Sequence, residues 1–248
     1  MATPSLLLLL ADGRFPAGAH AHSGGLEAAV AAGRVTDLAS LEAFLAGRLA
    51  TAGLVGAAFA AAAHRAAVAE TAGTTGPARP GRRSDTPAES AARSGALARL
   101  DAELDARTAA PALRAVSRRQ GRALLRAGRT IWPDAPFADL PATPGGAHQP
   151  LVLGLLCAAA GLSRVETATI AAYGTLTGAA SAGVRLLGLD PYQVQALLVG
   201  LADACDGTAA DAARAADDPP ERLPAAAAPL ADIHAEIHAT WEVRLFAS

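Results

Sequence analysis

The chain contains no lysine; all 21 of its basic residues are arginine. That excludes a Schiff-base lysine, a lysine general base and the lysine of a phosphate-binding P-loop. Aromatic residues make up only 4% of the sequence, and β-branched runs of strand length are nearly missing, so a β-rich fold is excluded. There are two cysteines, Cys157 and Cys205, both in apolar helical stretches and neither in a CxxC pair. They read as buried reduced thiols, not as a disulfide or a zinc site. The longest apolar stretch, residues 49–63, is alanine-rich and falls short of the ~18 residues a membrane span needs. The opening "SLLLLL" has no basic flank and meets "ADGR" at once, unlike a signal peptide. A formal net charge of −2 gives no global field for nucleic acid. These absences predict a cytoplasmic protein.

What is present is alanine, the best helix former because it has no side-chain entropy to lose. The fold class expected is all-α: a single helical-bundle domain over residues 1–248, with about eight to ten helices and flexible inserted linkers. Apolar periodicity and capping residues predict helices at 6–10, from His22 or Ser23 to Gly33, from Thr36 or Ser40 with a bend at Gly53, and on to Glu70. Further helices are predicted at 96–107, 111–129, 150–160, 163–187, from Pro191 to Leu201, and at 230–240. Pro111 suits a first helical turn, and Ser163 with Glu166 reads as a capping box. The loop after Ile131 should be ordered, because Trp132 and Phe137 need burial. Segments 71–95 and 206–228, rich in small and polar residues, are expected to be flexible. In the helix through 163–187, Gly174, Gly178 and Ala182 should face a neighbouring helix of the same chain or of a second subunit, with Gly183 in the same small-residue stretch.

"FPAGAHAHSGGLEAAV", residues 15–30, carries His20 and His22 among glycines. Two histidines at i,i+2 do not share a helix face. His234 and His238 do, at i,i+4, but position 235 is Ala, so the HExxH arrangement is missing. These four histidines are weak metal candidates only. No strand precedes the glycine-rich loop and no GxxxxGK[ST] occurs, so it reads as a bend, not a nucleotide cradle. There is no GxSxG elbow. Asp101, Glu103 and Asp105 read as carboxylates of a solvated helix, with no acid/base pair on a shared face. Arg118, Arg119, Arg122 and Arg126 cluster on one side of a helix and read as a solvated face, with an acidic protein partner as the alternative. No catalytic constellation emerges, and neither catalytic nor cofactor-binding residues are assigned. The residues alone describe an interaction protein.

Four stretches taken together resemble the urease accessory protein UreF family. "LLLLLADGRFPAGAHAHSGGLEAAVAAGRV" is similar to its N-terminal signature through Leu7, Leu8, Phe15, Pro16, Gly18, Ser23, Gly25, Leu26, Glu27, Gly33 and Val35. "RRQGRALLRAGRTIWP" looks like its QGR-LL-WP segment. "HQPLVLGLLCAAAGLS" with "AAYGTLTGAASAGVRL" looks like two of its later helices, and "HATWEVRLFAS" like its C-terminal tail. His20, His22, Ala239 and Ala247 depart from the usual pattern, where an FSYS aromatic pair, an HE and a terminal arginine stand. After Arg185 the usual glutamine has Gln193 or Gln195 as its counterpart. The resemblance implies an all-α, non-enzymatic urease maturation factor that dimerises. Such a factor binds UreD (also called UreH), recruits the GTPase UreG with it, and passes nickel to apo-urease (UreABC). It has no cofactor of its own, nickel being handled by the complex. Partner-binding roles are implied for Ser23, Gly25, Leu26, Glu27, Arg185, His238, Arg244, Leu245 and Phe246. Two other readings stand beside this one: a nickel-binding chaperone that uses its histidines directly, and an unrelated helical scaffold.

Overall fold

The computed structural model describes residues 4–16, 21–68 and 86–247. Helix α1 spans Pro4–Ala11, α2 Leu26–Ala31 and α3 Leu38–Arg48, and a π-helical turn at Leu49–Gly53 runs α3 straight into α4, Leu54–Val68. Then come α5 (Pro87–Arg107), α6 (Pro111–Ile131), α7 (Gln149–Ala159) and α8 (Arg164–Leu187). The chain finishes with α9 (Pro191–Gly200), α10 (Ala202–Ala215) and α11 (Pro229–Ala239). With Leu38–Val68 counted as one continuous helix, that is ten helices and no strand among the described residues. The bend expected at Gly53 is therefore a local widening of a helix that continues.

Helix α4 is the axis of the bundle, packed by α5, α7, α8 and α10. Its residues Ala57, Ala58, Phe59, Ala60, Ala61 and Ala63 are wholly buried. Alanine leaves nothing to hold neighbouring backbones apart. Where α7 crosses, a Cβ on Gly154 would lie 2.4 Å from the Ala60 carbonyl oxygen and 2.7 Å from the His64 nitrogen. Any larger residue at 154 would force the helices apart. The helix Leu38–Val68 is long and apolar enough to cross a membrane, yet its α4 half is covered by other helices of the same bundle. His64, also buried, donates from Nε2 to the Leu162 carbonyl at 2.7 Å, and burial pushes its pKa below the ordinary 6.5.

Several expectations change. Helix α5 begins at Pro87, inside the segment expected to be flexible. Thr86 and Glu89 form a reciprocal capping box at its start. Its polar first turns are then anchored: Arg93 pairs with the buried Asp139 at 2.5 Å, and Ser90 donates to the same carboxylate at 2.6 Å. Residues 71–85 of that segment lie outside the described residues. The segment from 206 is likewise helical as far as Ala215. Cys205, Ala209, Ala212, Ala213 and Ala216 form a buried stripe of small residues against α4 and α8. An apolar face made of alanine reads like low-complexity linker in composition alone.

The acidic face of α5 and the arginine face of α6 are not both solvated. Asp101 is buried and accepts from Arg118 at 3.1 Å and from the His148 backbone N–H at 3.1 Å. Asp105 accepts from Arg118 at 2.7 Å and from His148 Nε2 at 3.0 Å. Three charged residues read as surface thus form a joint between α5, α6 and the start of α7. The small-residue stripe of α8 is only partly covered within the chain. Ala182 is buried and a Cβ on Gly183 would meet Leu41 at 2.9 Å, but a Cβ on Gly174 would meet no other element within 4 Å, and one on Gly178 only the His22 carbonyl at 4.0 Å.

Candidate functional site

The residue that organises the opening motif is its acid, Glu27. Gly24 and Gly25 turn the chain with φ of +64° and +90°, a conformation that glycine adopts without strain, and Gly25 caps α2. Ser23, fully buried, accepts the Glu27 backbone N–H at 3.2 Å. This short helix points the Glu27 carboxylate at the other end of the chain. Its Oε1 accepts the Leu245 N–H at 2.8 Å, and its Oε2 accepts the Phe246 N–H at 3.0 Å. His238 of α11 donates from Nε2 to Oε2 at 2.8 Å. A further backbone bond runs from the Ala247 N–H to the Ala21 carbonyl at 2.7 Å.

An ionised carboxylate only accepts, so it suits three converging donors, and charge makes such bonds stronger than neutral ones. Burial pushes the Glu27 carboxyl up. The Leu245 amide, His238 and the Phe246 amide outweigh that, and its pKa lies below the ordinary 4.5. The Phe246 ring is buried at 4% exposure, with the Arg185 guanidinium carbon 4.4 Å from its centroid, a cation–π contact. The His238 ring lies 4.8 Å from that of Trp241, tilted by 55°.

Ser23, Glu27, Arg185, His238, Leu245 and Phe246 therefore converge, although they come from both ends of the sequence and from α8. Gly25 and Arg244 line a cleft beside them. Leu26 belongs to the core: it is fully buried next to Leu41 and Gly183. Exposure divides the tail. Phe246 is inside, while Leu245 is 74% exposed, so the two residues do not fill one groove. Holding consecutive amides on a single carboxylate leaves their side chains on opposite sides.

The histidines do other work than their spacing suggested. His238 bonds Glu27, His234 lines the cleft, His22 is half-buried, and His20 lies outside the described residues. Among the described residues no three His, Cys, Asp or Glu side chains gather closely enough to hold a metal ion. Sequence reasoning missed one surface. Leu230, Ile233 and Ile237 form an exposed apolar stripe on α11, and Val243 and Leu245 are exposed on the tail that follows. Their i, i+3, i+7 spacing was readable, but periodicity does not say whether a face is covered. It also missed the contact between Ser117 Oγ and His148 Nδ1 at 3.0 Å. Ser117 there accepts the Gln149 N–H at 3.3 Å and braces the start of α7.

The described residues form an all-α bundle whose tail is held on α2, with an exposed apolar stripe on α11 and a cleft of small residues beside it. The UreF family model matches residues 35–202. Over its full 248 residues the chain is 41% identical to the urease accessory protein UreF of Mycolicibacterium vanbaalenii and 42% identical to that of Mycobacterium marinum, in both cases across all of either chain. It is 41% identical over 212 residues to the Mycobacterium tuberculosis H37Rv protein of the same name, 86% of each chain. The chain belongs to the UreF family: it is a non-catalytic urease accessory protein, involved in urease maturation.

Proposed function

We propose that the chain acts in the cytoplasm as a scaffold, presenting α11 and the Glu27-held tail to a UreD/UreH-like partner. With that partner it recruits the GTPase UreG, and the assembly delivers nickel to apo-urease (UreABC). Nickel is cargo of the complex, and the chain works as a homodimer within it. The exposed faces of Gly174 and Gly178 on α8 are compatible with a second copy. The observation that carries the reading is the Glu27 clasp. It fixes the C-terminal segment against α2 and α11 while leaving Arg244, Leu245 and the α11 stripe outward. In this reading Ser23, Leu26, Glu27 and Phe246 position the docking surface from inside, and Arg244 and Leu245 touch the partner.

The test is co-expression with the UreD homologue of the same organism. The full chain co-purifies with it, and deletion of residues 241–248 abolishes co-purification. Because Phe246 is buried, the deletion also lowers the melting temperature, by a loss of ~1.5–3 kcal/mol, with helical circular dichroism retained. A truncated chain that still binds the partner at full affinity refutes the reading.

A further inference from the structure

Beside the clasp lies a cleft of about 280 Å³ between α6, α11 and the tail. Its room comes from small side chains on both helices, among them Ala112, Ala115, Ala235 and Ala239. Arg119, His234 and Arg244 line it, and no acidic side chain does. Arg118, one residue before Arg119, is occupied by Asp101 and Asp105. Arg119 and Arg244 are exposed and make no ion pair among the described residues. Glu236 of α11 is turned to the Ala112 N–H at 2.8 Å, where it ties α11 to the first turn of α6.

We infer that this cleft receives an acidic side chain on a segment of the partner protein, clamped between Arg119 of α6 and Arg244 of the tail. The inference rests on the docking reading above and adds a residue from a different helix to it. Two guanidinium groups at a recess lined otherwise by small and apolar side chains and by His234 and His238 suit a planar carboxylate, which guanidinium can grip with paired hydrogen bonds. Displacing water from such a recess strengthens the attraction. The recess takes a different face of α11 from the apolar stripe: His234, Ala235 and His238 line the recess, whereas Leu230, Ile233 and Ile237 form the stripe. Interfaces concentrate their binding energy in central pockets of this kind, where arginine is over-represented.

The full chain and the co-expressed UreD homologue are titrated at low and high salt. Arg119→Ala is expected to weaken binding about tenfold and flatten its salt dependence, and Arg119→Glu about a hundredfold. Ala115→Leu, which fills the recess without changing charge, is expected to weaken binding about tenfold as well. Arg126→Ala, exposed on α6 outside the cleft, leaves affinity unchanged. If the Arg119 and Ala115 variants bind normally while deletion of 241–248 still abolishes binding, the cleft assignment is overturned and the docking reading stands. If the deletion too is without effect, both fall.

Discussion

Two clusters in this molecule join a buried histidine to a carboxylate, and they do different jobs. In one, His148 bonds Asp105 and Ser117, and its backbone N–H bonds Asp101. Arg118 ties both acids to Thr143 and to the Gly146 carbonyl, at 2.8 and 2.6 Å. Burial and the charge of Arg118 push the His148 pKa below 6.5. The elements it joins, α5, α6 and α7, are also held by the apolar core. In the other, His238 bonds Glu27, which also gathers the Leu245 and Phe246 amides. Here the elements are a six-residue helix, the last helix and a non-helical tail. The chemistry is shared, but one cluster braces a scaffold, and the other clasps a tail whose only buried apolar side chain is Phe246 among the described residues. How much apolar burial the joined elements have elsewhere separates a joint from a clasp, since local opening costs least where such burial is least.

The contrast can be broken from either side. The largest effect is expected at the joint. Asp101→Ala leaves Arg118 short of one partner and the buried His148 amide unpaired, and should cost ~3–5 kcal/mol of global stability in urea unfolding. A loss below ~1 kcal/mol would show that water screens the cluster. A smaller and local effect is expected at the clasp. Glu27→Gln should cost ~1–3 kcal/mol, read as faster hydrogen exchange at Leu245 and Phe246 while the α4 and α7 amides stay protected. The Glu27 pKa is lowered by folding, so its contribution is fully present above the ordinary 4.5 and is lost as pH falls through the lower folded value. Tail amides should therefore open on acidification below that range, and Glu27→Gln should remove the dependence. Unaltered exchange at both amides would mean that Glu27 does not hold the tail. The smallest effect on stability is expected at Leu245→Ala, within ~0.5 kcal/mol by thermal melting because the side chain is exposed. The same variant should bind the UreD homologue more weakly; unchanged affinity would remove Leu245 from the docking surface.

Most helices were legible because their signals are local. The Ser163–Glu166 capping box, Pro111 and Pro191 in first turns and the leucine period through Leu38, Leu41 and Leu45 all mark elements that form. The start of α5 at Pro87 carries an equally local signal, Thr86 with Glu89, hidden in a segment whose overall composition resembles linker. Helix α10 escaped because its buried face is built from alanine and one cysteine, which hydropathy patterns barely distinguish from a polar run. At the candidate site, the motifs named residues that the fold brings together, but not their arrangement. Glu27 and Phe246 stood in matching motifs, yet nothing in either stretch says that one accepts a hydrogen bond from the other.

The sequence by itself determined the all-α class, the helix boundaries set by caps and prolines, the absence of a lysine-based phosphate site and the family. Each of these depends on residue type or on spacing within a few turns. Only the tertiary structure decided that Arg118 is held between two aspartates while Arg119 faces a cleft, that Phe246 turns inward while Leu245 turns out, and that Glu27 meets the far end of the chain. Those outcomes depend on which surfaces the packed helices cover, and a contact across more than two hundred residues has no local period to announce it.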